Sequence, residues 1–221
     1  APVLDLDHQR SAVVGSRAFE GDPLRATRLA GAFIRGMNAA GMAACGKHFP
    51  GHGDTETDSH YDLPVIKHAE KRIWDIDLYP YQELFRENLM SVMVAHLNVP
   101  SLDNGANIPT SLSKPVVTDL LQNRMNFQGL IFTDALNMKG VANTSRPGEV
   151  DLKALLAGND VLLYSQDVTK AKALIKDAIA QGMISENEIN RRVKKILKAK
   201  YWARLNEYKP LDTYKIADRI T

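Results

Sequence analysis

Short, continuous apolar runs that alternate with longer segments of helical periodicity are the feature that most constrains the fold of this chain. Five runs are rich in apolar residues and do not alternate with polar ones, as in strands covered by helices on both faces or on the outside of a barrel. They lie at residues 3–6, 42–46, 92–95, 130–132 and 161–164. Because such runs recur about every 30 to 50 residues, as βα units do, the sequence predicts a parallel α/β fold.

Helix-capping signals mark the predicted helices between these runs. Asp22 followed by Pro23 combines an N-cap with a first-turn proline, and the helix that it starts extends to about residue 40. Ser185 and Glu188 fit a capping box that opens a helix reaching about residue 203. Three further helices are predicted at residues 74–89, 113–125 and 167–180.

Composition and charge narrow the possible functions. The 221 residues are 44% hydrophobic, and 28 Lys plus Arg against 26 Asp plus Glu give a net charge of +2. This balance predicts no nucleic-acid partner, and no run approaches the roughly 18 apolar residues of a membrane span. Cys45 is the single cysteine, which excludes an internal disulfide and leaves the compartment open. We expect one domain over residues 1–204 and a polar tail or linker over 205–221.

Ionisable residues collect directly after the predicted strands. Arg17 follows the first strand, Lys47 and His48 the second, His96 the third and Asp134 the fourth. The carboxyl ends of parallel strands share one face in a βα barrel and one crevice in an open sheet, and such folds carry their active sites there. The sequence therefore predicts a site at the carboxyl edge of the sheet.

The segment 46–60 is especially polar, with seven ionisable side chains in fifteen positions. Gly51 and Gly53 allow sharp turns and a close approach of the backbone to a ligand. Three histidines with nearby carboxylates would suit zinc or another transition metal. A solvated loop with incidental histidines, or a loop that binds sugar or phosphate, fits the same residues. These ionisable residues are Lys47, His48, His52, Asp54, Glu56, Asp58 and His60.

Three residues that follow strands each have two interpretations. Asp134 is either a structural cap for the next turn or a catalytic carboxylate, and its place at a strand's carboxyl end favours catalysis. Arg17 is either a surface arginine or a donor fork for a sugar hydroxyl or carboxylate. His96 is either a functional group or a neutral histidine that is hydrogen-bonded to the rim of a barrel.

Two motifs resemble those of glycoside hydrolase family 3. The first is Lys-His-Phe-Pro-Gly-His-Gly at residues 47–53, followed by Asp58-Ser59-His60, and the second is Ile-Phe-Thr-Asp-Ala-Leu-Asn-Met at residues 131–138. Within that family they are similar to the bacterial β-N-acetylglucosaminidases, the NagZ-like branch. Further matches at residues 1–5, 94–96 and 157–160 extend the resemblance over nearly the whole chain. It implies a (β/α)8 TIM-type barrel in a bacterial protein of the cytoplasm or periplasm.

The resemblance also implies a retaining mechanism. Asp134 matches the nucleophile, and Asp58 with His60 matches an acid/base dyad on a mobile loop. Retaining hydrolysis needs a carboxylate beneath the anomeric carbon and a proton donor near the leaving oxygen, and a histidine can give and recover that proton near neutral pH. Neither a metal nor a cofactor is required. The residues that match contacts to sugar hydroxyls are Arg17, Lys47 and His48.

The resemblance implies eight strands, of which this chain would supply about the last five. Because a five-stranded piece would leave sheet edges exposed, we expect the remaining N-terminal part of the same barrel as a partner. The implied substrate is a carbohydrate that contains N-acetylglucosamine, from peptidoglycan or chitin. The alternatives are a β-glucosidase or an N-acetylglucosaminide phosphorylase of the same family, or a non-catalytic sugar-binding fragment.

Overall fold

The computed structural model of the chain describes residues 1–7, 14–55, 62–104 and 107–210. Within these ranges, four parallel strands form one sheet in which each strand pairs with the next along the chain. Four of the five predicted strands are confirmed, with ends shifted by at most three residues. They are β1 (Cys45–Phe49), β2 (Ser91–Val94), β3 (Leu130–Ala135) and β4 (Val161–Leu163).

The order of the strands is that of a barrel wall. Parallel strands that follow one another in sequence, with right-handed crossovers, place their connecting helices on one face, whereas a doubly wound sheet reverses its order at a switch point. The burial of the side chains agrees with this. Val92 and Ile131 on the helix-covered face are fully buried, while Cys45 and Phe132 on the other face are partly exposed.

The first predicted strand needs a correction. Residues 3–6 do not form a strand but make a single parallel bridge, between Val3 and Lys47. Leu4 N donates to Lys47 O at 2.6 Å, and Lys47 N donates to Pro2 O at 3.2 Å. The ladder ends there because β1 is irregular beyond Lys47, where its register with β2 shifts. The apolar run instead reflects burial beside the sheet.

The predicted helix starts at Asp22, Asp167 and Ser185 are confirmed. Each of these side chains accepts a hydrogen bond from the backbone N–H three residues further on, which satisfies a donor of the first turn. The α-helices of the described ranges are α1 (Pro23–Ala39), α2 (Glu70–Arg72), α3 (Tyr79–Phe85), α4 (Lys139–Ala142), α5 (Glu149–Ala157), α6 (Val168–Ala180) and α7 (Glu186–Trp202).

The helix predicted over residues 74–89 is divided in two. After α2 the chain passes through a π-helical turn, Ile73–Asp77, before α3 begins. Leu78 N donates to the carbonyl of Ile73, five residues back, at 2.8 Å. Pro80 lies in the first turn of α3. Because proline has no N–H and crowds the preceding turn, the wider turn separates one helix from the next.

The helix predicted over residues 113–125 is present as a π-type helix, Pro115–Arg124. Ser113 Oγ accepts the N–H of Val116 at 3.2 Å, which satisfies one backbone donor of the first turn. Short 3-10 turns occur at Gly15–Arg17, Thr110–Leu112 and Leu205–Glu207.

The main core lies between the sheet and the helices that cover it. A line of aromatic rings crosses it, with Tyr81 in edge-to-face contact with Phe49 and Phe85. Within the described ranges, every helix is too short or too polar to span a membrane. The largest fully buried side chains of the core include Phe49, Ile73, Tyr81, Leu84, Leu121 and Ile131.

Candidate active site

The carboxyl edge of the sheet brings together side chains from three strands. Lys47 and His48 lie near the end of β1, His96 follows β2, and Asp134 lies near the end of β3. His96 Nε2 lies 3.0 Å from the carbonyl of Ala135, the residue after Asp134, and the N–H of Ala95 donates to Phe49 O, the residue after His48, at 2.9 Å. The edge that the sequence predicted as a site is therefore assembled.

A β-bulge sets the direction of Asp134. Phe132 pairs with Val161 and Ala135 pairs with Leu163, so three steps along β3 oppose two steps along β4. Bulges of this kind re-aim side chains next to active sites. Asp134 is partly buried, its Oδ1 accepts the N–H of Ala135 at 2.8 Å, and Oδ2 has no donor within the described part of the chain. The carboxylate thus keeps an oxygen available for chemistry.

His96 is the neutral, hydrogen-bonded histidine that one of its two interpretations predicted. It is fully buried, with Nε2 3.0 Å from Ala135 O and Nδ1 2.7 Å from Ser111 Oγ. Because a carbonyl only accepts, Nε2 carries the proton and Nδ1 accepts from the serine hydroxyl. Burial lowers the pKa of His96 to about 4, although the negative charge of Asp134 opposes the shift. His96 therefore leaves Asp134 without a neighbouring imidazolium.

Acidification is expected to destabilise the protein partly through His96. The unfolded chain takes up a proton near the ordinary pKa of 6.5, whereas folded His96 resists protonation until about pH 4. Its contribution to stability is therefore present above the unfolded pKa and is lost as the pH falls towards the folded one, by about 3 kcal/mol. Denaturant unfolding at about pH 7.5 and about pH 4.5 should show a smaller loss in His96→Gln than in the wild type. Equal losses would contradict the assignment.

Asp5 is a site residue that the sequence analysis did not single out. Its carboxylate is completely buried and accepts hydrogen bonds from His48 N (3.1 Å), His48 Nδ1 (2.7 Å) and His52 N (2.7 Å). Burial opposes its ionisation, but the electrostatic attraction of His48, the hydrogen bond from its ring and the N–H of His52 outweigh burial and hold the pKa of Asp5 below its usual value. The carboxylate therefore remains ionised and fastens the chain around His48.

Gly51 and Gly53 serve close packing within the protein. Gly51 has a φ of +139°, and a Cβ there would lie 2.9 Å from Asp77 Cβ. At Gly53 a Cβ would lie 1.9 Å from the carbonyl oxygen of Leu6. A side chain at either position would displace these neighbours, so the glycines seat the 47–53 segment against the N-terminal segment and the π-helical turn.

A second cluster of charges stands beside this segment. Asp54 Oδ2 lies 2.8 Å from His68 Nε2 and accepts a hydrogen bond from Arg72 Nη2 at 2.5 Å. Arg72 also donates from Nη1 to Asp77 at 2.5 Å. The network connects the end of the 47–53 segment with α2 and the turn that follows it. Since Arg72 donates to Oδ2 of both Asp54 and Asp77, the cluster is an ion-pair network and not an open ligand set.

The metal interpretation of the 46–60 segment finds no support among the residues that the structure describes. Within those ranges no group of three His, Cys, Asp or Glu side chains could hold a metal ion. His48 is paired with Asp5, and His52 Nδ1 with Thr55 Oγ1. Of the three imidazoles that suggested a metal, the two in the described residues, His48 and His52, are thus engaged by protein partners.

The remaining predicted site residues are Arg17, Asp58 and His60. Arg17 is exposed in its 3-10 turn, and its Nε donates to Val14 O at 3.3 Å. Asp58 and His60 lie outside the described residues, so their predicted acid/base role stays a prediction.

Comparison with known proteins identifies the family. The chain matches the Glycosyl hydrolase family 3 N terminal domain over residues 1–199. A protein of Pseudomonas aeruginosa named Beta-hexosaminidase is 48% identical over 172 residues, which are 78% of this chain and 51% of that protein. The chain spans about half the length of the curated relatives it matches.

Solved structures agree in fold. A glycoside hydrolase family 3 β-N-acetylglucosaminidase from Paenibacillus sp. str. FPU-7 has a TM-score of 0.89 and 33% identity, covering 96% of this chain and 41% of that one. The β-glucoside phosphorylase BglX has a TM-score of 0.88 and 28% identity, covering 95% of this chain and 39% of that one. The parallel sheet is therefore part of a TIM-type α/β barrel. Matched by sequence from its first residue to residue 199, this chain belongs to glycosyl hydrolase family 3.

Proposed function

We propose that the protein to which this chain belongs is a retaining glycoside hydrolase that removes terminal β-N-acetylglucosamine. The observation that carries the proposal is the placement of Asp134 on a bulge at the carboxyl edge, beside His96 and on the same edge as Lys47 and His48. Neutral His96 leaves the Asp134 carboxylate free to act as a charged nucleophile. The motif of Asp58 and His60 supplies the second group that the reaction needs.

The proposed reaction has two displacements at one carbon. An oxygen of Asp134 attacks the anomeric carbon as the glycosidic C–O bond breaks, and His60, oriented by Asp58, gives its proton to the leaving oxygen. A covalent glycosyl ester of Asp134 results. His60 then takes a proton from water, whose oxygen attacks the same carbon and releases Asp134. Two inversions leave the configuration of the sugar retained.

The substrate class rests on the relatives. Proteins named Beta-hexosaminidase and a structure titled as a β-N-acetylglucosaminidase support a terminal N-acetylglucosamine as the recognised sugar. Arg17, Lys47 and His48 are proposed to bind its hydroxyl groups. Peptidoglycan and chitin fragments are the polymers that would present this sugar.

The rest of the barrel is proposed to come from an N-terminal part of the same protein. The sheet face that carries Cys45 and Phe132 is partly exposed, and side chains of a closed barrel fill that face. Further strands would cover it and complete the sugar site.

The test uses the full-length protein. Release of nitrophenol from a β-N-acetylglucosaminide should exceed release from the matching β-glucoside. A preference for the glucoside would overturn the substrate class and favour a β-glucosidase. Because one structural neighbour is titled a β-glucoside phosphorylase, the assay is repeated with inorganic phosphate. A sugar 1-phosphate as the main product would replace hydrolysis by phosphorolysis.

His60→Ala is expected to expose the acid role through its dependence on the leaving group. A poor leaving group needs the proton, so kcat/KM for a disaccharide should fall by about 10²- to 10⁴-fold. For an activated dinitrophenyl glycoside, whose leaving group does not need the proton, kcat/KM should fall far less. His68→Ala is the matched control, because His68 pairs with Asp54 and has no proposed proton-transfer role. Equal losses with both leaving groups in His60→Ala would refute the acid assignment.

A further inference from the structure

The Asp5 carboxylate accepts hydrogen bonds at both of its oxygens, although Asp5 lies outside the two motifs at residues 47–53 and 131–138. Oδ1 accepts the backbone N–H groups of His48 (3.1 Å) and His52 (2.7 Å), while Oδ2 lies 2.7 Å from His48 Nδ1. Its side chain is completely buried, whereas about a tenth of the His48 side chain, 10%, remains exposed. Asp5 thus binds the 48–52 turn from its buried side, whereas His48 is the member of the pair that can reach solvent or substrate.

These contacts determine which nitrogen of His48 carries a proton. An ionised carboxylate can only accept hydrogen bonds, so the proton between Oδ2 and Nδ1 belongs to Nδ1. In a neutral imidazole the other nitrogen, Nε2, then has a lone pair and no hydrogen. The fixed pair therefore gives the partly exposed His48 a defined polarity, with Nε2 as a hydrogen-bond acceptor.

We propose that Asp5 is a positioning residue that locks His48 with its proton on Nδ1, so that Nε2 accepts a hydrogen bond from a sugar hydroxyl. The inference rests on the proposed function, which places His48 at the sugar. It adds a source of specificity, since an acceptor nitrogen selects a hydroxyl and rejects an ether, fluorine or hydrogen in its place. An analogue without that hydroxyl binds more weakly, because it leaves the buried acceptor without a hydrogen-bond donor.

Asp5→Asn provides a nearly isosteric test. The amide oxygen can still accept the backbone N–H groups of His48 and His52, but its NH₂ would face Nδ1 and donate to it. The proton of neutral His48 would then move to Nε2. Asp160→Asn is the matched control, because Asp160 is also buried and its Oδ2 accepts the backbone N–H of Ile131, near the amino end of β3.

Nitrogen-15 NMR of the histidine rings reads the tautomer directly. The neutral form of wild-type His48, assigned by comparison with His48→Gln, should show a protonated Nδ1 and an unprotonated Nε2. Asp5→Asn should reverse this pattern, and Asp160→Asn should keep it. A wild-type ring protonated on Nε2 would overturn the proposal whether or not the variants fold.

Substrate kinetics test the consequence in the full-length enzyme. Removing one hydroxyl at a time from an aryl β-N-acetylglucosaminide should identify a position at which the wild type loses about 10- to 100-fold in kcat/KM. Asp5→Asn should lose far less at that position, because its Nε2 no longer accepts. Equal discrimination by both enzymes would refute the role of Asp5. The expected tautomers without turnover of any N-acetylglucosaminide would instead refute the proposed function.

Discussion

Asp134→Asn in the full-length protein should reduce hydrolysis of an aryl β-N-acetylglucosaminide by about 10⁴- to 10⁶-fold, as removal of a nucleophile does in other enzymes, with little change in fold. The amide keeps the shape of the side chain and can still accept the N–H of Ala135, which Oδ1 accepts at 2.8 Å. It lacks the negative charge that attacks and stabilises the anomeric carbon. Because only the transition state and the ester need that charge, sugar binding should persist.

The chemistry offers a stricter test of the same assignment. In Asp134→Gly, azide can take the vacated position and attack the anomeric carbon directly. Added azide should then restore turnover of an activated aryl substrate and yield a glycosyl azide of inverted configuration. Asp119→Asn is the control, since that carboxylate is half exposed and pairs with Lys114 at 3.1 Å. Full activity in Asp134→Asn, or an azide product of retained configuration, would remove Asp134 from the nucleophile role.

Local patterns were sufficient to predict the strands and the edge that carries the site. Buried parallel strands need continuous apolar runs, and the runs at residues 92–95 and 130–132 became β2 and β3. The topology then fixes where the following polar residues lie, which is why Asp134 and His48 could be assigned to one edge before the structure. Only the segment at residues 3–6, which bridges through Val3 alone, was wrong as a strand.

Contacts between distant parts of the chain were not predictable in this way. Asp5 and His48 are 43 residues apart, and a single aspartate within an apolar run gives no periodic signal. Its importance comes from its burial and from the donors around it, which depend on tertiary structure. The apolar run at residues 3–6 did contain one sign of this contact. An aspartate is almost never fully buried without partners, so Asp5 within a buried run implies nearby hydrogen-bond donors.

Residues 157–160, which also resemble the family, have a structural role and lie away from the proposed nucleophile. Asp160 directly precedes β4, and its N–H donates to Ile131 O at 2.8 Å, at the amino end of the sheet. Its Oδ2 accepts from Ile131 N at 2.9 Å and from Lys195 Nζ at 2.5 Å. Gly158 has a φ of +121°, and a Cβ there would lie 2.5 Å from Thr118 Oγ1. This turn connects β4 with β3 and α7 at the amino end of the strands, whereas Asp134 lies near the carboxyl end of β3.

Arg192→Met should destabilise the protein by about 3 kcal/mol, because it removes the arginine donor from the buried carbonyl of Asn159 and leaves Leu155 O with the N–H of Gly158 alone. Arg192 is 6% exposed, and its Nη1 donates to Leu155 O at 2.6 Å and to Asn159 O at 2.7 Å. Methionine fills much of the same volume but donates nothing. The loss should lower Tm by about 6 to 12 °C for a chain of this size, measured by calorimetry or denaturant unfolding.

The neighbouring arginine provides the matched control. Arg191 is one residue earlier on α7, and its side chain is 47% exposed. It shares Glu188 with Arg192, and hydrogen bonding by Arg191 is the main reason why the pKa of Glu188 falls to about 2. Because an exposed ion pair contributes little, Arg191→Met should change stability by less than about 1 kcal/mol. Equal effects of the two substitutions would mean that the pairs with Glu188 within α7, and not the buried carbonyls, account for the lost stability.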